Sequence, residues 1–535
     1  MLVSFLYRKT PDGLNIMETN YLILGSGLAG LSFAALMAQS GKKVVVIEAH
    51  DNAGGYAHTF SQGKDYKFNA QLHYVWNCGE GQVIHQILKK LKLDQQISFE
   101  SYDRDGYDHM RMPGYALEIP CDLDLLSQRL QKLFPQHSES LKNFISFVQY
   151  ISIKLEKIPP HASPAFFLTN PLLSIDLIKY QNATLQNVFD EFNLPQEAQT
   201  LLALQWPDFM LPPRDLSFFA WVVLFSGYGK GAYYPTHHFN HVVKSLVETI
   251  KNNGGVILLN SKVIQFIRDQ NRILGVLVEN LNNGLISEHF GDDVICNMDP
   301  QMAARMIGLE HFSNCVQKKL EYEYSPSSFM AYCVVKDLDL RNYGFGKWNR
   351  FHTEQENLNQ VFDDMYIRGD YSKPSFVMTT PSLFSSEPRH CPEGTQILEI
   401  LTVANYEKFR ELKMSNPTKY REKKAEILDS LLNIIERDYV TNIRQHIVFK
   451  TTGSPTTNQR FCGSPFGNSY GANLTPHQVG LNHLGFNTSL DHFYFCNATS
   501  GSPGFVGTLK TGSYLYEELS RDFFLSQKPS TNSIC

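Results

Sequence analysis

Apolar positions along the chain alternate between short unbroken runs and longer stretches with helical spacing. Residues 21–24 and 44–47 are four-residue apolar runs, the pattern of strands buried on both faces. The stretch between them predicts a helix ending near Ala38. Leu123, Leu125, Leu126, Leu130 and Leu133, then Leu141, Phe144, Phe147 and Ile151, recur at helical spacing. Residues 241–251 predict another helix, followed by strands at 256–259, 263–267 and 273–278 with a hairpin turn at 269–271, and Val294 and Ile295 close this set. Apolar runs return at 329–335 and 397–403, with a helix at 425–437. A last strand at 493–496 leads through a glycine-rich loop into a helix at about 508–519.

The junction between the first strand and the first helix carries the chemistry. Gly25, Gly27 and Gly30 stand in the order Gly-x-Gly-x-x-Gly. Gly25 permits a tight turn, Gly27 lets backbone approach a pyrophosphate, and Gly30 lets the helix pack closely on the sheet. Leu28 and Ala29 open the helix, where free N–H groups and the positive dipole end face the phosphates. Glu48 ends the second strand about 20 residues on, where a carboxylate accepts from both ribose hydroxyls and repels a 2′-phosphate. Ala49 then leads toward the pair Gly54 and Gly55, a second close approach that points to FAD rather than NAD.

Near the C-terminus, residues 501–507 place another helix start behind glycines, with Gly504 and Val506 as candidates for contact with the cofactor. The dipole of that helix suits negative charge on the N1/C2 side of a reduced flavin.

At 535 residues the chain has room for two or more domains. A net charge of −5 and the lack of a long basic run argue against nucleic acid as a partner. Nine cysteines without a Cys-x-x-Cys pair fit reduced thiols in the cytoplasm. No apolar stretch is long enough to span a bilayer, and residues 1–16 read as a loose extension. The expected fold is α/β: a discontinuous Rossmann-type FAD-binding domain (residues 18–100, 232–310 and 455–535) with a second, mixed sheet-plus-helices substrate domain (101–231 and 311–454). Three dense apolar runs, at 164–168, 171–178 and 217–225, read either as buried core or as a tunnel and membrane-docking face.

With these residues in view, the chain resembles the carotenoid and retinoid oxidoreductases of the phytoene-desaturase type. Four blocks carry the likeness. They are residues 24–55 with the extension His58, Thr59 and Phe60; residues 68–74; residues 231–235 leading through Gly254 and Gly255 to Val263; and the C-terminal segments 454–458, 467–471 and 503–513. The resemblance implies that His58 belongs to the cofactor site, that the backbone of Val263 meets the adenine, and that residues 68–74 pass the flavin. His73, with Tyr74 beside it, is then a candidate proton donor, a structural hydrogen bond being the alternative. The chain departs from the family pattern at Asn69, Gln71, Asn497 and residues 236–239. His237 and His241 share a helical face, but a third metal ligand is lacking and no metal is assigned.

The resemblance implies an FAD-dependent enzyme acting on carbon–carbon double bonds of an apolar polyene by saturation, desaturation or cis-trans isomerisation. A flavin amine oxidase and a non-enzymatic lipid-binding flavoprotein are the alternatives. A substrate that insoluble implies a protein attached to the membrane surface from the cytoplasm.

Overall fold

The computed structural model describes residues 7–9, 15–63, 65–159, 162, 164–384 and 390–526. Its main sheet is built on Asn15–Leu24 and Val44–Ile47, which pair in parallel. Val256–Leu258 extends the parallel side beyond Val44–Ile47. This departs from the expected strand meander: the helix His238–Asn252 precedes that strand and carries the chain across to the parallel edge. On the other side of Asn15–Leu24 lies Ile286–Cys296, which forks. Residues 286–290 join the antiparallel strands Arg272–Asn280 and Ser261–Asp269, while Val294, Ile295 and Cys296 pair in parallel with Phe493–Phe495. The first strand starts earlier than its apolar run, because Tyr7–Lys9 folds back onto residues 15–17. Part of the expected loose extension is therefore strand, and residues 1–6 and 10–14 lie outside the described residues.

The helix Leu28–Gln39 is buried on every side from Leu28 to Ala38, as its uniformly apolar sequence requires. The C-terminal helix Gly504–Ser520 lies against it. Ser32 Oγ donates to the Leu509 carbonyl at 3.1 Å, and a Cβ on Gly512 would stand 2.2 Å from the Ala29 carbonyl oxygen. Gly512→Ala is therefore expected to cost about 3 kcal/mol through overpacking, read as a lowered Tm. An unchanged melt would show that the two helices are not pressed together.

A second, seven-stranded sheet runs Ile447–Gly453, Ser327–Lys336, Thr395–Ala404, Ser375–Thr379, Asn349–Thr353, Asp108–Met112 and Tyr115–Ile119. A hairpin, Thr59–Gln62 with Tyr66–Asn69, and a three-stranded sheet of Val75–Trp76, Ala232–Pro235 and Phe99–Ser101 stand apart from both large sheets. The dense apolar runs form the helices Pro164–Thr169, Pro171–Tyr180 and Phe218–Gly229.

Candidate functional site

One cavity of about 3780 Å³ opens at the end of the main sheet, where Ile47 and Glu48 stand, and runs on between the glycine loops and the helices at 164–180 and 218–229. That is several times the roughly 300–1,000 Å³ of an ordinary ligand pocket, room for a dinucleotide and a long second ligand together. Gly25, Gly27, Leu28, Ala29, Glu48, Ala49, Gly54, Gly55, His58, His73, Tyr74, Val263, Gly504 and Val506 all line it. Gly30 does not. A Cβ there would stand 2.8 Å from the Gly25 carbonyl oxygen and 2.9 Å from Asn297 Nδ2, so its part is to let the helix close on the end of the strand.

The cradle is shaped by backbone. Gly25, at φ +100°, turns the chain out of the strand, and Asn297 Nδ2 donates to its carbonyl at 3.1 Å. Gly27 bridges to Gly54, whose N–H donates to the Ser26 carbonyl at 3.0 Å. A Cβ on Gly27 would stand 2.8 Å from Asn297 Nδ2. Two helices with uncapped N-termini start at this cavity, Leu28–Gln39 and Gly504–Ser520. Neither has a side-chain cap or an acidic residue in its first turn, which leaves both positive ends free for an anion. The second helix begins four residues earlier than its apolar spacing indicates, because the chain turns at Pro503 and Gly504 takes φ +77°. Glu48 Oε2 accepts from Ser26 N at 2.8 Å and Ser26 Oγ at 2.6 Å, while Oε1 accepts from His50 N at 2.8 Å. These bonds hold the carboxylate in place, with lone-pair capacity left on Oε1. His58 Nδ1 contacts the Gly55 carbonyl at 2.6 Å, and burial lowers its pKa. The glycine cradle, the two open helix ends and the acid fit a dinucleotide.

Beyond the cradle the wall becomes a buried polar network. His73 Nδ1 lies 3.5 Å from Glu399 Oε2, with Glu399 completely covered beneath it. Burial raises the Glu399 pKa, and His73 offsets part of that rise. Two of the departures from the family pattern, Asn69 and Gln71, lie in this stretch of wall. Asn69 donates through its backbone to Glu399 Oε1 at 3.1 Å and through Nδ2 to the Tyr234 hydroxyl at 2.8 Å. Gln71 bonds Asn458 and Ser328, and Asn458 Nδ2 donates to Ser327 and Ser328. His237 and His241 sit 5.3 Å apart between ring centres, and His241 Nε2 contacts the Gln96 carbonyl at 3.1 Å.

Further along, the wall is apolar. Phe166, Phe167, Leu177, Phe219, Ala220 and Leu224 line it, and Leu168, Ile178 and Val223 mark its rim, with 81%, 55% and 45% exposure. Leu172 and Ile175 continue the outer face at 88% and 68%. Residues 218–225 mostly face inward, so of the three dense runs only the two helices at 164–180 present a broad apolar surface outward.

Sequence reasoning missed Glu399, Asn297, Asp108 and Asp208. A charged residue in the centre of the apolar run 397–403 was the available signal for Glu399. Asp108 follows Asp103, Arg104 and Asp105 and reads as loop, which left no signal for it.

The arrangement defines a two-domain oxidoreductase built on a dinucleotide-binding Rossmann domain, and comparison with known proteins agrees. A model described as an NAD(P)-binding Rossmann-like domain matches residues 23–91. All-trans-retinol 13,14-reductase of Danio rerio is 23% identical over 88% of this chain and 79% of its own. Prolycopene isomerase 1 of an Oncidium hybrid cultivar is 22% identical over 91% and 81%. Cyclohexylamine oxidase from Brevibacterium oxydans shares the fold at a TM-score of 0.60, with 14% identity over 94% of this chain and 100% of that one. The relatives that the chain matches along most of its length are thus enzymes named for retinoids and carotenoids, at 22–26% identity.

Proposed function

We propose that the protein holds FAD in the glycine cradle and acts on carbon–carbon double bonds of an apolar, carotenoid- or retinoid-like polyene. The observation that carries this reading is the continuity of the cavity, from an anion-binding cradle through a buried polar network to an apolar rim. Bound there, the flavin would supply two-electron chemistry. Gly25, Gly27, Gly54 and Gly55 admit the pyrophosphate, Leu28, Ala29, Gly504 and Val506 offer backbone at two helix ends, and Glu48 holds the ribose. Val263 would face the adenine, with Ala49 and His58 completing the wall. His73, fixed by Glu399, is positioned in the stretch between cradle and channel, where an imidazole can exchange a proton. The apolar channel orients the chain of the polyene and excludes water from it.

A polyene of this kind is collected from a bilayer. Among the described residues no helix is long and apolar enough to cross a membrane. The exposed face of the helices Pro164–Thr169 and Pro171–Tyr180 supports peripheral attachment at the channel rim.

The test is anaerobic incubation of the flavin-loaded protein, oxidised and reduced, with a panel of retinoids and carotenoids, followed by chromatography of the products. The expected result is a polyene changed by two hydrogens or by the geometry of one double bond. Flavin reduction by simple amines, with every polyene returned unchanged, would overturn the proposal in favour of an amine oxidase.

A further inference from the structure

The hydrogen bonds around Tyr74 impose a proton count. Its hydroxyl lies 3.0 Å from Asp108 Oδ2 and 2.9 Å from Asp208 Oδ2. A phenol has one proton to give. Both contacts are hydrogen bonds only if one of the two carboxyls carries a proton and donates it to the phenol oxygen. The environments decide which one. Asp108 is fully buried and accepts amide donors at both oxygens, from Asn349 Nδ2 at 2.9 Å to Oδ1 and from Gln205 Nε2 to Oδ2, which favours its ionised form. Asp208 has Tyr74 as its side-chain partner, and its backbone carbonyl accepts from the Tyr470 hydroxyl.

The groups packed around Asp208 agree with this assignment. Tyr228 stacks on Tyr74 at 4.1 Å between ring centres, and Tyr102, Tyr107 and Tyr470 complete the surroundings. These are phenols, and none supplies a positive charge to hold Asp208 ionised. Burial raises the pKa of both acids, and the charge of Asp108 raises that of Asp208 further. Asp208 is only half-buried, and it lines the cavity alongside Phe209, Leu177 and Phe219.

We propose that Asp208 is the proton donor of this site, its carboxyl kept protonated by sharing Tyr74 with Asp108 and facing the apolar channel, where it delivers the proton to a carbon of the bound polyene. The inference rests on the polyene reading above. The Asp208 O–H turns from the phenol oxygen into the channel, and the new C–H bond forms from the π pair of the double bond and that proton, whose bonding pair stays on the carboxylate. Tyr74 then donates to that carboxylate. In saturation a reduced flavin, if bound in the cradle, would supply hydride to the neighbouring carbon and be oxidised, and Asp208 regains its proton from water. In isomerisation the proton returns to the carboxylate after rotation about the former double bond, with no net redox change. Tyr74 and Asp108 are positioning residues in this scheme, and Asp208 is the catalytic one.

Infrared difference spectra of the flavin-loaded protein at pH 7 test the proton directly. The carbonyl stretch of a protonated carboxyl is expected in the unmodified protein, lost in Asp208→Asn and retained in Asp108→Asn. Turnover of a responsive polyene should fall ~100-fold in Asp208→Asn with flavin content and visible spectrum unchanged, the usual scale for a general acid. A band retained in Asp208→Asn but lost in Asp108→Asn overturns the assignment. Turnover within threefold of the unmodified protein overturns the donor role. Should Asp208→Asn fail to accumulate, Asp208→Glu carries the test, and an unmoved carboxyl band then overturns the assignment. If no polyene is turned over, delivery falls with the function reading, while the band shows that the failure lies in the substrate and not in the proton site.

Discussion

Gly27→Val is expected to give a folded protein that purifies without yellow colour and binds added FAD at least ~100-fold more weakly. Gly27 is the cap of the helix Leu28–Gln39, bridged to Gly54 on one side and approached by Asn297 on the other. Even one carbon added here would stand 2.8 Å from Asn297 Nδ2, the group that holds the Gly25 carbonyl. A branched side chain fills the space in which a pyrophosphate meets the free N–H groups of the helix. It also pushes Asn297 out of the turn that aims them. Losing two charge-assisted hydrogen bonds at about 1.5–3 kcal/mol each accounts for a loss of that size. The measurement is the absorbance of the purified protein and its titration with FAD, with circular dichroism confirming the fold. A yellow variant carrying one flavin per chain would show that the cradle is not the pyrophosphate site.

The second large effect belongs to the channel rim. Replacing Leu168, Leu172, Ile175 and Ile178 together with serine is expected to abolish flotation with liposomes while leaving flavin content unchanged. These side chains are 81%, 88%, 68% and 55% exposed, so they add little to the fold and stand ready to leave water. Full burial of each contributes about 1.5–3 kcal/mol, and half-insertion of four gives on the order of 4 kcal/mol, or about 10³-fold in membrane partitioning. With a net charge of −5 the attraction is apolar rather than electrostatic, and binding by the unmodified protein should survive high salt. Equal flotation of the two proteins, or binding that salt removes, would assign the membrane contact to another surface. Binding by neither would return these helices to the status of an ordinary apolar surface.

The two glycine segments were legible because each sits at a junction where strand period gives way to helix period, and only glycine accommodates the turn and the close approach there. Gly54 and Gly55 at φ +116° and +55° are direct instances. The strand at 256–258 was legible as a strand but not as a member of the parallel side, because an apolar run does not name its partner. Gly504–Ser520 was legible as a helix from its spacing, but its first turn holds two glycines, Gly504 and Gly507, and reads as loop. Glu399 shows the limit from the other side. A carboxylate in the middle of an apolar strand is visible in the sequence, yet nothing in the sequence says that His73, more than 300 residues away, lies 3.5 Å from it.

By itself, the sequence determined the local units of this protein: where most strands and helices lie, which turn has the glycine spacing of a dinucleotide cradle, and which short runs are too apolar for an ordinary surface. Those properties depend on neighbours a few residues apart, through backbone sterics and the periods of strand and helix. The tertiary structure alone decided what meets across the cavity. Asp108 and Asp208, on segments 100 residues apart, share one phenol, and His73 rests on Glu399. The same holds for direction: the helices at 164–180 turn apolar side chains outward while the still more apolar helix Phe218–Gly229 turns most of its side chains inward. Each is a short run rich in large apolar side chains, and packing against the remaining chain assigns one to water and the other to the core.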